Sequence, residues 1–295
     1  MHYQSIYHPE LFQGEVILVT GAGSGIGRCI AHELASLGAQ VVLIGRSPHK
    51  LEKVCGEIRQ DGGQASLYAL DIRDEPGVVQ TIAAILKQHG RIDGLVNNAG
   101  GQFPSPLEQI SLKGFSAVVN TNLIGGFLMA RECYRQWMKQ SGGAVVNITA
   151  DFHNGMPGMG HSGAARAGME NFSKTAAWEW GHSGVRVNSV APGWVASSGL
   201  DTYEEPMRSL IPQLQAQVPL KRLATEAEVS AAVTFLLSPG AAFINGATIK
   251  VDGGASLGSA TWPIGRKQAS NTQPFDGFHR AQSPKVLQGD NDGQN

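Results

Sequence analysis

Two groups of residues in this chain are suited to chemistry by type and spacing. Thr20 to Gly27 reads TGAGSGIG, and a glycine-rich segment between an apolar run and a helical periodicity suits phosphate. Gly21 permits a tight turn. Gly25, flanked by Ser24 and Ile26, lets backbone N–H groups approach a pyrophosphate, Gly27 lets the helix pack closely on its strand, and the helix N-terminus adds positive potential. The second group is Ser162 and Arg166 in HSGAARAG. They are four residues apart and share a helix face, where they offer a hydroxyl and a permanent cation.

The elements around these residues follow a regular alternation. An apolar strand, Val16 to Val19, precedes the glycine turn, and Ile26, Ile30, Ala31, Leu34 and Leu37 recur at helical spacing after it. A second strand, Val41 to Ile44, ends in Gly45-Arg46-Ser47. In dinucleotide folds an acidic residue there accepts from the 2′-hydroxyl of NAD, whereas an arginine pairs with the 2′-phosphate of NADP; Gly45 and Arg46 specify NADP(H). A third strand, Leu67 to Leu70, ends in Asp71-Ile72, where a carboxylate can accept the adenine amino group or cap a helix. A fourth, Ile92 to Val96, ends in Asn97-Asn98-Ala99-Gly100-Gly101, small residues against which an adenosine ribose can lie, with two asparagines able to pin neighbouring loops. Ala247 to Val251 forms the last strand. Strands alternating with helices of ten or more residues specify a doubly wound parallel sheet, an α/β fold.

Composition narrows the function classes. The 295 residues are 42% hydrophobic and 16% charged, with net charge −1, which lacks the basic excess that nucleic acid demands. No stretch is long and apolar enough to span a membrane, and Met1 to Gly14 does not read as a leader, so a cytoplasmic location is expected. Cys29, Cys55 and Cys133 stand far apart without a CxxC pair and read as reduced, partly buried thiols; no metal site is expected. The chain divides into an extension (1–13), one domain (14–255) and a polar tail (256–295) carrying Trp262, Phe275 and Phe278. That tail reads as disordered or as wrapped over a neighbouring subunit. Its last residues, Asp292-Gly293-Gln294-Asn295, are not a peroxisomal signal.

Four ordered motifs, TGAGSGIG, NNAG, Asn122 within VNTNLIGGF, and VRVNSVAPG at Val185 to Gly193, resemble the short-chain dehydrogenase/reductase family over about residues 12 to 256. The resemblance implies a single-domain Rossmann fold of about seven parallel strands, a nicotinamide cofactor and a homotetramer or homodimer. It also implies a cofactor site formed by Gly21, Ser24, Gly25, Ile26, Gly27, Arg46, Asp71, Ile72, Asn98, Ala99, Gly100, Arg166, Pro192, Gly193, Val195 and Ser197, the last offering a hydroxyl to the carboxamide. The family's Ser, Tyr, Lys and Asn act together, the Tyr donating a proton as hydride moves. Here Ala150, beside Thr149, stands for Ser, Ser162 for Tyr and Arg166 for Lys, while Asn122 is retained. The expected catalytic set is Asn122, Ser162 and Arg166.

A serine hydroxyl lacks the acidity of a phenol, so this set serves carbonyl reduction poorly. Reduction of a C=C conjugated to a thioester asks only that an enolate be stabilised by hydrogen-bond donors and positive potential. HSGAARAG, AWEWGHSGVRVNSVAPGWV and FLLSPGAAFINGATIKVDGG are similar to the branch containing peroxisomal trans-2-enoyl-CoA and 2,4-dienoyl-CoA reductases, which implies a small acyl thioester as substrate. Phe152 matches the position of the dienoyl enzymes' helper Tyr. The alternatives are an alcohol or aldehyde oxidoreductase of a branched or terpenoid substrate, with His153 or His161 as proton donor, and an NADP(H)-binding protein without catalysis. Glu170 and Lys174 read as an i,i+4 surface ion pair rather than as a displaced catalytic pair, which would lie about 12 Å away along the helix. Leu200 to Gln217, interrupted by Pro206 and Pro212, reads as a mobile substrate lid, and Thr225 with Glu228 as a capping box opening a helix to Leu237.

Overall fold

The computed structural model describes residues 2–205, 207–257, 265 and 272–288. In chain order its main elements are β1 (Val16–Thr20), α1 (Gly25–Ser36), β2 (Gln40–Gly45), α2 (Pro48–Gln60), β3 (Gln64–Ala69), α3 (Glu75–His89), β4 (Gly94–Asn97), α4 (Leu112–Val119), α5 (Gly125–Cys133), β5 (Gly143–Ile148), α6 (Gly160–Trp180), β6 (Val185–Pro192), α7 (Glu226–Leu237) and β7 (Thr248–Val251). The seven strands form one sheet in the order β3-β2-β1-β4-β5-β6-β7, each pair parallel. This is the doubly wound Rossmann topology. The strand order reverses between β1 and β4, and the crevice beyond their carboxyl ends is where ligands bind in such sheets.

Every residue of β1 is buried, as a central parallel strand covered on both faces requires. Ile17 and Val19 pack with Ile30 and Leu34 of α1, Val54 of α2 and Val229 and Val233 of α7; Val16 and Leu18 face Ile82 of α3, Met129 of α5 and Ala177 of α6. Alternate residues thus feed two helix layers. Two strand starts differ from the apolar runs by more than one residue: β3 begins at Gln64 rather than Leu67, and β4 at Gly94 rather than Ile92. The first difference has a clear cause. β3 is the sheet edge, paired only to β2, so its polar Gln64 and Ser66 do not read as buried strand.

The capping box forms as expected, the Thr225 hydroxyl accepting from the Glu228 N–H at 3.1 Å and the Glu228 carboxylate accepting from the Thr225 N–H at 2.9 Å. Of the tail, the described residues 272–288 pack on their own chain. Phe278 is buried with Tyr3, Cys29 and Ala227, Arg280 pairs with Asp61 at 2.7 Å, and the Thr225 hydroxyl donates to the Phe275 carbonyl. Trp262 lies outside the described residues. The N-terminal extension is fastened to the same face: Ser5 and Tyr3 donate to the buried Glu33 carboxylate of α1, which also receives Ser230 of α7. Burial pushes the Glu33 carboxyl above its ordinary pKa. In the lid, helical turns run Ser198–Thr202, Met207–Leu210, Ile211–Gln213 and Leu214–Gln217. Pro212 does not interrupt them, since it occupies a first-turn position where no N–H is needed; Pro206 lies outside the described residues.

Two glycines test this packing with opposite signs. A Cβ on Gly27 would meet Asn98 Nδ2 at 2.4 Å and the Gly21 carbonyl oxygen at 2.5 Å, whereas one on Gly56, inside α2, meets nothing within 4 Å. In chemical denaturation Gly27→Ala is expected to destabilise by about 1–3 kcal/mol through overpacking. Gly56→Ala should stabilise by about 0.5–1 kcal/mol by restricting the unfolded chain and favouring helix.

Candidate active site

A cleft of about 380 Å³ lies over the carboxyl ends of β1, β2 and β4. Its floor is the glycine turn, where Gly21 and Gly25 have φ of +67° and +56°. A Cβ on Gly25 would find no atom closer than 3.9 Å, so the backbone faces open space there. Ser24 caps α1 without a side-chain hydrogen bond, which leaves first-turn N–H groups free for an anion. The turn is held in place by its neighbours. Thr20 Oγ1 accepts from the Asn98 and Ala99 N–H groups at 3.0 Å and donates to the Val96 carbonyl, while Asn98 Nδ2 donates to the Thr20 carbonyl at 3.0 Å. Gly27 does not line the cleft. It gives room to Gly21 and to the Asn98 amide, so its close packing is against the turn itself.

The far end of the cleft is basic. Arg46, Ser47, Lys50 and Arg73 line it together with Asp71 and Ile72. Asp71 is neither a helix cap nor a free acceptor: Arg73 Nε donates to its two oxygens at 2.9 and 3.1 Å, and these bonds hold its carboxyl down to about 2. The N-cap of α3 is Asp74. Arg46 is exposed and has no ion pair among the described residues, while Lys50 follows one helical turn later, an unrecognised partner at i+4. The pyrophosphate-sized floor, the free N–H groups and this basic end fit a dinucleotide.

A second pocket, of about 640 Å³, shares Ile26, Asn98, Gly100 and Ser197 with the cleft. Pro192, Gly193 and Val195 line it, and Met156, Pro157, Met159, Trp194 and Leu200 make much of its wall apolar. Arg166 also lines it. It is 9% exposed, Nη1 donates to the Ile148 carbonyl at 2.6 Å, Nε has no partner, and a Cβ on Gly100 would come within 2.4 Å of Nη2. Burial alone lowers its pKa to about 10, so it remains a cation at neutral pH, and no carboxylate pairs with it among the described residues.

The other two expected catalytic residues are not on the pocket wall. Asn122 sits in a π-helical turn, Asn120–Ile124, that joins α4 to α5; its amide accepts from the Gly101 N–H at 2.9 Å and donates to the Gly101 carbonyl at 3.0 Å. It pins the loop behind Arg166. Ser162 has no exposure, and its hydroxyl donates to Gln102 Oε1 at 2.7 Å. Its one proton is directed there rather than towards the pocket, whose wall does not include it. Gln102 Nε2 in turn donates to the Tyr203 hydroxyl at 2.9 Å, and both residues line the pocket. Neither was legible in the sequence: Gln102 follows the Asn97–Gly101 motif without belonging to it, and Tyr203 stands in the lid with no motif around it.

His153 is exposed and stacks on Phe152, and His161 is buried edge-on against Phe103; none of these lines either pocket. Glu170 and Lys174 do pair, at 2.7 Å, but Glu170 is 9% exposed, so the pair is anchored in the core rather than wholly on the surface. The three cysteines are free and buried. Among the described residues no helix is long and apolar enough to cross a membrane.

Residues 21–256 match the family described as Enoyl-(Acyl carrier protein) reductase. Peroxisomal 2,4-dienoyl-CoA reductase of Danio rerio is 35% identical over 88% of this chain and 87% of its own, and glucose 1-dehydrogenase of Gluconobacter oxydans is 34% identical over 85% and 95%. Among solved structures, the citronellol catabolism dehydrogenase AtuB of Pseudomonas aeruginosa is 59% identical, with TM-score 0.79 over 86% of this chain and all of that one. A gluconate 5-dehydrogenase from Beutenbergia cavernae, described as putative and solved with NADP at low occupancy, is 30% identical with TM-score 0.78 over 84% and 99%. Sheet order, glycine turn and these matches agree: the chain belongs to the short-chain dehydrogenase/reductase family, oxidoreductases whose Rossmann fold binds a nicotinamide cofactor.

Proposed function

We propose that the protein is an NADP(H)-linked oxidoreductase acting on the alcohol or aldehyde end of a branched, apolar, terpenoid-type chain. The observation that carries this reading is a largely apolar pocket lined by a buried guanidinium with no carboxylate partner among the described residues. Met156, Pro157, Met159, Trp194 and Leu200 give the wall an apolar stretch that accepts a branched hydrocarbon chain. When bound, the nicotinamide supplies or accepts the hydride. Arg166 supplies positive potential where the substrate oxygen gains negative charge, and a cation in a water-poor site acts strongly on it. The 59% identity to a dehydrogenase of citronellol catabolism over that protein's whole length supports the branched chain.

A second reading is reduction of the C=C of a 2-enoyl thioester. Arg166 favours it too, since an enolate oxygen needs the same potential, and the 2,4-dienoyl-CoA reductases are relatives at about one third identity. For the cofactor, Arg46 and Lys50 lie at the adenosine end of the cleft, and the single carboxylate among its lining residues, Asp71, is bound to Arg73, which favours a 2′-phosphate over a 2′-hydroxyl.

Titration of the purified protein checks the cofactor. Arg46→Ala and Lys50→Ala should each weaken NADPH by about tenfold, the scale of one charge-assisted hydrogen bond, with NADH nearly unaffected. Equal affinity for both dinucleotides in the parent protein would overturn the NADP(H) assignment. Cofactor oxidation with citronellal, a crotonyl thioester and a ketose checks the substrate: turnover is expected to be fastest with the branched aldehyde. A faster thioester selects the second reading, and a faster ketose removes both. NADPH binding with no turnover across that panel would return the chain to a cofactor-binding protein without chemistry.

A further inference from the structure

We propose that Tyr203 is the residue that exchanges a proton with the substrate oxygen, its phenol oriented by a hydrogen-bond chain from Ser162 through Gln102. The proposal rests on the oxidoreductase reading and is independent of which carbon accepts hydride. Ser162 stands where the family's helix would present a phenol, yet its proton goes to Gln102 Oε1 at 2.7 Å. Gln102 then donates from Nε2 to the Tyr203 oxygen at 2.9 Å. Because the phenol oxygen accepts from Gln102, its own proton has no acceptor among the described residues and is available to the pocket that Tyr203 lines.

The other hydroxyls on that wall are differently placed. Thr149 donates to the Val190 carbonyl and Thr202 to the Gly199 carbonyl, while Ser197 lies on the wall shared with the cofactor cleft. Asp151 offers a carboxylate, an acceptor, and Arg166 a guanidinium that already donates to the Ile148 carbonyl and whose charge stabilises the substrate oxygen. In reduction, hydride adds to the carbonyl carbon and the C=O π pair moves to oxygen. The Tyr203 O–H bond breaks, the substrate O–H bond forms, and the phenolate left behind regains a proton from solvent when the alcohol departs. Oxidation runs these steps in reverse. Burial pushes the Tyr203 phenol above its usual pKa, with the Gln102 hydrogen bond opposing, so reprotonation at neutral pH is downhill. Tyr203 belongs to a buried cluster with Leu200, Ile211 and Leu214 of the lid, against which Val286 and Leu287 of the tail pack, and the Val286 N–H donates to Asp201 at 3.0 Å, so the tail fastens the segment that carries the phenol.

The test has a binding arm and a rate arm. With the NADP-loaded protein, Tyr203→Phe should weaken a saturated branched-chain primary amide, whose carbonyl takes the phenol's hydrogen bond but cannot be reduced. The expected loss is about fivefold in calorimetry, with the matching hydrocarbon lacking the amide unaffected. On whichever substrate the parent protein turns over, Tyr203→Phe should lower kcat by about 10²-fold or more, while NADPH affinity and thermal midpoint stay at parent values. Gln102 and Ser162 are positioning residues. Ser162→Ala and Gln102→Leu should each cost roughly three- to tenfold in the parent and nothing further in the Tyr203→Phe background, the non-additivity that marks one chain. Unchanged amide affinity in Tyr203→Phe, parent-like kcat in that variant, or equal losses for Ser162→Ala in both backgrounds would each overturn the proposal. If the parent turns over no oxygen-bearing substrate, the functional reading fails, and the amide arm still decides for or against Tyr203.

Discussion

The site depends on a small hydrogen-bonded junction where β1 meets β4. Thr20 receives two backbone N–H groups from Asn98 and Ala99 and returns its proton to Val96, while the Asn98 amide reaches back to the Thr20 carbonyl. This junction lies at the point of strand reversal, where the sheet opens and strand-end polar groups lose their ladder partners. Thr20 has no exposure, so each of these bonds replaces one that water cannot make. The glycine turn, the cofactor cleft and the shared wall of the second pocket are all positioned from it.

A second constraint sits one strand further along. Arg166 is buried beside Gly100 and bonded to the end of β5, but the fold surrounds it with no opposite charge among the described residues. Keeping a guanidinium desolvated in that way is unfavourable for folding and favourable for any ligand that brings an oxygen with negative charge to it. Stability and chemistry pull in opposite directions at this residue. The loop that forms its other wall is correspondingly fastened, with Asn122 holding both backbone groups of Gly101 from a π-helical turn.

The third feature is the way chain ends complete the active face. Tyr3, Ser5 and Phe278 tie both termini to α1 and α7, and the segment around Val286 continues to the turns that cover the second pocket. Short helical turns with few long-range partners of their own gain order from that contact. Residues that line the second pocket therefore rest partly on a segment far away in sequence.

The glycine turn, the alternation of strands and helices, the capping box at Thr225 and the basic residue after β2 were legible in the sequence because each is a local pattern. Their geometry is set by residues within a few positions of one another. Strand edges were less legible, since the polar start of β3 is tolerated only because it lies at the sheet's edge. What the tertiary structure decided was which side chains line the pockets. Spacing on one helix put Ser162 and Arg166 on the same face, but only packing against Gln102 decided that the serine turns its proton away while the arginine stays at the wall. Tyr203 and Gln102 lie 101 positions apart, and no periodicity relates them. The tail's fate was decided in the same way, by a pocket between α1 and α7 that accepts Phe278. Sequence patterns record how a segment folds on itself; the meeting of two distant segments depends on the shape and burial of surfaces that exist only once the sheet has closed over its helices.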